Sequence, residues 1–131
     1  MDKIIRIDIL QGDWVKTVHK YMNMLGYGTK LDVNSGRLHV FNESEYETVY
    51  SIIPNGFYFV PYSDTGINGL LEDMYVMFNI KQPVDFIGHS LSISDIIKVT
   101  DDCFEVKYYM VCIQGFIEVT PSKQKGVDAY E

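Results

Sequence analysis

The sequence predicts an α+β fold, and three patterns predict it. Apolar and polar residues alternate at the N-terminus. Two stretches of helical apolar spacing precede residue 54, with a hairpin-like segment between them. A third helical stretch is followed by β-forming residues up to about residue 119. Over residues 1–61 the order reads β-α-β-β-α-β, the split arrangement of ferredoxin-like folds. Residues 62–120 read as a helix and a small antiparallel β-rich unit that shares one core with the first. Residues 121–131 read as a disordered tail.

Each element has its own signal. In residues 3–10, Ile5, Ile7 and Ile9 fall on one face of a strand, with Arg6 and Asp8 on the other. Asp13 is placed to cap a helix whose apolar face carries Trp14, Val18, Tyr21, Met22 and Leu25, with Gly26 as its terminator. Residues 30–41 read as a hairpin turning at Asn34-Ser35-Gly36. Asn42 and Glu45 resemble a capping box. Behind them Tyr46, Val49, Tyr50 and Ile53 have the spacing of a second helix, ended by Pro54. Asn55-Gly56 then turns the chain into a strand over 56–62. Both helices are expected on a single face of one antiparallel sheet, with Ile5, Ile7 and Ile9 beneath Trp14, Val18 and Tyr50. After a polar loop, Ile67, Leu71, Met74, Tyr75 and Phe78 mark a third helix, and strands are expected near 93–99, 103–112 and 115–119. The tail PSKQKGVDAYE has no apolar periodicity.

A chain of 131 residues with 47% hydrophobic content has the size and material of one domain. Its net charge of −7 is uneven: residues 1–61 carry −1 and residues 62–131 carry −6. An acidic surface repels phosphate, which disfavours direct nucleic-acid binding and favours a basic partner. The split unit is also the RNA-recognition arrangement, but that fold stacks bases on aromatics of its first and third strands. Here the first strand has none and the third has Phe41 alone. No apolar run reaches membrane-spanning length and the N-terminus lacks a signal-peptide pattern, so a cytoplasmic protein is expected. Cys103 and Cys112 form no CxxC pair and read as buried, reduced thiols. His19, His39 and His89 are scattered, and neither metal nor cofactor is expected.

The stretch QPVDFIGHSLSISDIIKV, residues 82–99, gathers the residue types of a hydrolase triad within seven positions: His89, Ser90, Ser92, Ser94 and Asp95. A nucleophilic serine needs a base within hydrogen-bond reach and a third group to orient that base. Adjacent residues of an extended segment point to opposite faces, which separates His89 from the serines. There is also no Gly-x-Ser-x-Gly elbow. The favoured reading is a structural turn, Gly88, His89, Ser90, Ser92, Ser94 and Asp95, whose side chains bind nearby backbone while Leu91, Ile93, Ile96, Ile97 and Val99 enter the core.

This region resembles the YodL-like domain family. The matching positions are Phe78, Asn79, Pro83, Phe86, Gly88, His89, Ser90, Leu91, Ser92, Ser94, Asp95, Tyr108, Tyr109, Gly115 and Phe116, covering about residues 68–119 and leaving 1–60 outside. Val111 and Cys112 depart from the family pattern, in which polar residues are usual. The resemblance implies a setting in conjugative elements and phages, beside antirestriction and DNA-processing domains, and implies no catalytic activity. The expected function is thus a non-enzymatic, protein-binding accessory factor with a counter-defence role. Its partner would be a host or element-encoded protein, such as a basic nucleic-acid-binding one. The alternative is a nucleic-acid-binding accessory of conjugative DNA transfer. Candidate partner-binding residues are Asp64, Glu72, Asp73, Tyr75, Asp85, Asp101, Asp102, Glu105 and Tyr108.

Overall fold

The computed structural model describes residues 4–25, 39–54 and 66–122. They form an α+β fold on a six-stranded mixed sheet. Strand β1 (Ile4–Gly12) leads into helix α1 (Trp14–Lys20) and the short α2 (Met22–Leu25). Next come β2 (Val40–Phe41), a 3-10 turn over Glu43–Glu45, and β3 (Tyr46–Ile52). Helix α3 (Gly66–Ile80), then β4 (Ile96–Asp101), β5 (Val106–Val111) and β6 (Phe116–Pro121), complete the order. Across the sheet the strands run β2-β6-β5-β4-β1-β3. All neighbours are antiparallel except β2 and β6, where Val40 and Phe41 lie parallel to Thr120 and Pro121. Strand β1 lies between β3 and β4, so strands from before and after residue 61 share one sheet.

The second helix expected over 46–53 is a strand, and the split β-α-β-β-α-β order does not appear among the described residues. Asn42 does cap a turn, accepting from the Ser44 amide at 3.1 Å, but that turn ends at Glu45. A register shift explains the misleading spacing. Tyr50 pairs with Ile9, and Thr48 pairs with Leu10, leaving Val49 as an extra residue. Such a bulge reverses the faces beyond it. Tyr46 therefore enters one core and Tyr50 the other, although a regular strand would put residues four apart on one face. The expected hairpin over 30–41 lies outside the described residues apart from 39–41, and so do Gly26 and the whole strand expected over 56–62.

Each face of the sheet carries its own core. Ile7, Ile9, Ile97, Val99, Tyr109 and Val111 meet Leu70, Leu71, Met74 and Phe78 of α3. Leu10, Ile96, Met110, Ile117 and Val119 meet Tyr21, Leu25, Phe41 and Tyr46 on the other side. The expectation of both early helices on one face, over Ile5, Ile7 and Ile9, is thereby corrected. The helix at 14–25 packs through Val18, Tyr21 and Leu25 onto the face that carries Leu10, and α3 covers Ile7 and Ile9. Because β1 is a central strand, the polar side it was expected to show to solvent is partly covered: Arg6 stays exposed, but Asp8 is buried against Arg6 and Ser51.

Smaller corrections follow from the same packing. Leu70 rather than Tyr75 completes the buried stripe of α3. Asp13 caps α1 as expected, and Tyr21 interrupts the helix. Trp14 and Met22, placed on the apolar face by spacing, are exposed. Cys112 is buried and Cys103 exposed. Pro121, assigned to the tail, pairs within the sheet, and the Ser122 amide donates to Phe41 O at 2.8 Å; residues 123–131 lie outside the described residues. No helix among the described residues is long and apolar enough to cross a membrane.

Candidate functional site

The phrase Gly88-His89-Ser90-Leu91-Ser92-Ile93-Ser94-Asp95 runs between α3 and β4, and it is fastened to β1, α1 and β3 by polar bonds. Gln11 of β1 supplies the main fastening. Its side-chain amide treats His89 as a strand neighbour would, accepting from His89 N at 3.1 Å and donating to His89 O at 2.7 Å. It also donates to Asp95 Oδ2 at 3.0 Å, and that same oxygen accepts from Ser92 N at 2.8 Å. The approach leaves no room for a side chain at residue 88. A Cβ on Gly88 would run into Gln11 Oε1 and the Phe86 ring.

The second fastening centres on Ser94, fully buried with φ at +75°. Its hydroxyl bonds Thr17 Oγ1 at 2.7 Å, its carbonyl accepts from Tyr46 OH at 2.8 Å, and its amide donates to Val111 O at 2.8 Å. Trp14 contributes from its exposed position, its indole N–H donating to Ile93 O at 3.1 Å.

The chemistry available to His89 follows from counting donors. Gln11 Nε2 has two hydrogens, and the carbonyl of His89 and the carboxylate of Asp95 take both. His89 Nδ1 then has a natural acceptor in Ser90 O at 2.7 Å, with Asp95 Oδ2 further away at 3.7 Å. The serine hydroxyls are engaged elsewhere. Ser90 Oγ accepts from Gln82 at 3.2 Å, Ser92 Oγ donates to Ser90 O at 3.0 Å, and Ser94 Oγ meets Thr17. The cluster thus joins His89 and Asp95 into an oriented pair without bringing a serine hydroxyl to the imidazole. Asp95 itself is perturbed: burial raises its pKa from 3.8 to about 7, against the opposing pull of the Ser92 amide, His89 and Gln11.

Between α3 and this clasp the chain makes an outward turn. Phe86 N donates to Pro83 O at 3.0 Å, and the Phe86 ring packs edge-on against Phe78 at 4.9 Å and Tyr50 at 5.8 Å. Asp85 accepts from Tyr50 OH at 2.8 Å. With Phe86 turned inward and Asp85 held at the surface by Tyr50, Val84 and Ile87 point out at 105% and 88% relative exposure.

The candidate partner-binding residues do not make one surface. Asp64 lies outside the described residues. Glu72, Asp73 and Tyr75 are exposed on α3, and Asp102 and Glu105 on the β4–β5 turn. Asp101 is buried, with Oδ1 accepting from the Cys103 and Glu105 amides, both at 2.9 Å, so it builds the turn and is unavailable to a partner. The sheet separates Tyr75 from Tyr108, which bonds Glu43 at 3.2 Å and contacts the Phe41 ring on the α1 side. Phe41, the lone candidate for base stacking, is itself buried. Asp101, Asp102 and Cys103 do bring three ligand atoms within 4.8 Å, but two of the three residues are exposed and Asp101 Oδ1 is already committed to amides.

Gln11, Thr17 and Tyr46 were missed as parts of the site. Two of them had a legible signal: a polar residue where periodicity requires an apolar one. Gln11 follows Ile7 and Ile9 at the strand's period of two, and Thr17 precedes Tyr21 by one helical turn, on the buried side.

Comparison with known proteins extends the likeness beyond the clasp. Neither curated proteins nor solved structures gave a match. The sequence model of the YodL-like domain matches residues 15–121, so the family's domain takes in α1, β2 and β3 as well as the region from α3 onwards, and the limit set near residue 68 was too narrow. Val111 and Cys112, which depart from the family's usual polar residues, are buried in the two cores. With most of its length covered, the chain belongs to the YodL-like domain family.

Proposed function

We propose that this domain is a non-enzymatic, protein-binding accessory factor, and that its contact surface is built around the turn at Pro83–Gly88. The carrying observation is the outward display of Val84 and Ile87 on a turn whose other side chains are pinned. Exposed aliphatic side chains on a fixed turn are suited to burial in a partner, since little further ordering has to be met on binding. The use of the serine hydroxyls within the fold supports a structural rather than a catalytic role for the polar motif. The acidic balance of residues 62–131 supports a basic partner over direct contact with nucleic acid. The setting in a conjugative element or phage, and the counter-defence role that goes with it, are what the family resemblance implies; a cytoplasmic location is part of the same proposal. A host or element-encoded protein that itself handles nucleic acid would suit both the charge and that setting.

The test is affinity capture from a host lysate by the intact chain, beside the double variant Val84→Ser, Ile87→Ser, followed by measurement of the retained protein's affinity. The expected loss is roughly tenfold or more, since two aliphatic side chains lose their burial at about 25 cal/mol per Å². Equal affinity in the variant would remove the turn from the interface. Micromolar binding to DNA that falls steeply with salt would overturn the protein-binding reading itself.

A further inference from the structure

We infer that the cleft between α3 and the β5–β6 turn is a seat for a lysine side chain of the partner protein. This inference rests on the protein-binding reading and names what that partner presents. The cleft holds about 300 Å³, near the lower end for small-ligand sites and ample for one long side chain. Its wall on α3 is formed by Glu72, Tyr75 and Val76, and its wall on the turn by Ile113 and Phe116. Among the described residues, Glu72 is the sole charged residue of the lining, and no described lysine, arginine or histidine stands there to neutralise it.

That combination selects among ligands. An anion meets Glu72 and is repelled, and a neutral apolar ligand strips water from the carboxylate without replacing it. A lysine satisfies both parts. Its four-carbon stem lies along Val76 and Ile113, and its ammonium reaches Glu72 with the Tyr75 and Phe116 rings at hand. Tyr75, Val76 and Ile113 are exposed at 43%, 47% and 65%, so the apolar wall is open to an incoming chain. The wall is also held in place. Cys112 N donates to Gly115 O at 2.9 Å within the turn, and Ile113 N donates to Leu25 O at 3.1 Å across to α2. Gly115, with φ at +87°, closes that turn in a conformation suited to glycine.

The probe is Nα-acetyl-lysine methylamide, titrated into the full chain and followed by amide chemical shifts. Saturable shifts are expected at Tyr75, Val76, Ile113 and Gly115, with a Kd on the order of millimolar, as suits a single side chain at a partly exposed site. Glu72→Gln should weaken that binding about fivefold or more, and the norleucine analogue, which lacks the ammonium, should bind more weakly by a similar factor. Glu47→Gln, at an exposed acid on β3, the edge strand farthest from β6 across β5, β4 and β1, serves as the control and should leave the Kd within about twofold. Shifts that do not saturate, equal binding of norleucine, or an unchanged Kd in Glu72→Gln would each overturn the inference. The probe involves no partner and does not touch Val84 or Ile87. A failed titration alongside capture that still depends on those residues would sink the lysine seat and leave the protein-binding reading standing. A positive titration with no partner captured would leave a lysine-binding cleft in place and sink the protein-binding reading, and with it the assignment of that lysine to a partner.

Discussion

Strand β4 is bounded by two buried aspartates that do different work. Asp95 stands just before it and Asp101 ends it, each at 1% exposure. Each turn also holds a non-glycine residue at positive φ, Ser94 at +75° and Phe104 at +63°. The bonds around Asp101 are local, running to amides two and four residues ahead. The bonds around Asp95 include Gln11, 84 residues away in sequence, and the neighbouring Ser94 reaches Thr17 and Tyr46. The side-chain bonds of a local turn close on themselves, even though Asp101 also lies beside Ile4 of β1. The clasp exists only when β1, α1 and β3 are already in place, so it ties the presentation of the 83–88 turn to the integrity of the whole sheet.

The largest expected difference between the two ends is in stability. Asp95→Ala strands the Ser92 amide and half of the Gln11 amide in a buried place, and should cost about 3 kcal/mol in urea unfolding at pH 5. Asp101→Ala strands two amides of exposed residues, which water can reach, and about 1 kcal/mol is expected. Equal losses would mean that the long-range bonds add nothing to the local ones.

The pH dependence separates the ends next. Burial raises the pKa of Asp95 from 3.8 to about 7, so between those values the native chain holds a proton that the unfolded chain has released. The stability tied to this group is complete below about pH 4 and is lost as pH rises through 7. A fall of up to a few kcal/mol is expected over that window, on the order set by 1.36 kcal/mol for each tenfold change in proton affinity. Asp95→Asn keeps an acceptor oxygen for Ser92 and Gln11 and has no proton to release, so it should remove the fall. Asp101→Asn should leave it in place. A wild-type profile that is flat, or that rises from pH 4 to 7, would contradict the burial of Asp95 as an ionisable group.

How far each region could be read from sequence follows the same division. The cap at Asp13 and most of the stripe of α3 depend on residues within a few positions of one another, and local patterns showed them. The clasp was legible on one side only. Gly88, Ser92 and Asp95 mark a turn, but nothing in that phrase names Gln11 or Tyr46 as partners. Strand β3 was misread because one bulge gives Tyr46, Val49 and Tyr50 the spacing of a helix, and the bulge is set by pairing with β1. The two-sided burial of β1 was hidden for a related reason. Asp8 looks like a solvent-facing residue until Ser51 of β3 closes over it. The acidic candidates were chosen from charge counts, which do not say that Asp101 is buried or that Tyr75 and Tyr108 sit on opposite faces.

The smallest expected effects are at the two positive-φ residues, and they should differ in sign. Phe104 is 77% exposed, and its backbone amide donates to Asp101 O at 2.9 Å, a bond that does not depend on its side chain. Replacing it with glycine relieves the left-handed conformation, worth roughly 1 kcal/mol for an L-residue, and gives back part of that through the freer unfolded chain. A net gain of a few tenths of a kcal/mol is expected. Ser94→Gly relieves the same kind of strain but deletes a hydroxyl that bonds Thr17 at a site with no exposure. Thr17 keeps its bond to Trp14 O at 3.2 Å, so the loss is that of one buried hydrogen bond, about 1 kcal/mol, plus the small void. The net for Ser94→Gly should therefore be a loss. Chemical unfolding of the two variants beside wild type decides it. A stabilised Ser94→Gly would show that the Ser94–Thr17 bond contributes less than the strain of the residue that makes it. The tie between the clasp and α1 would then rest on Trp14 and its 3.1 Å bond to Ile93 O.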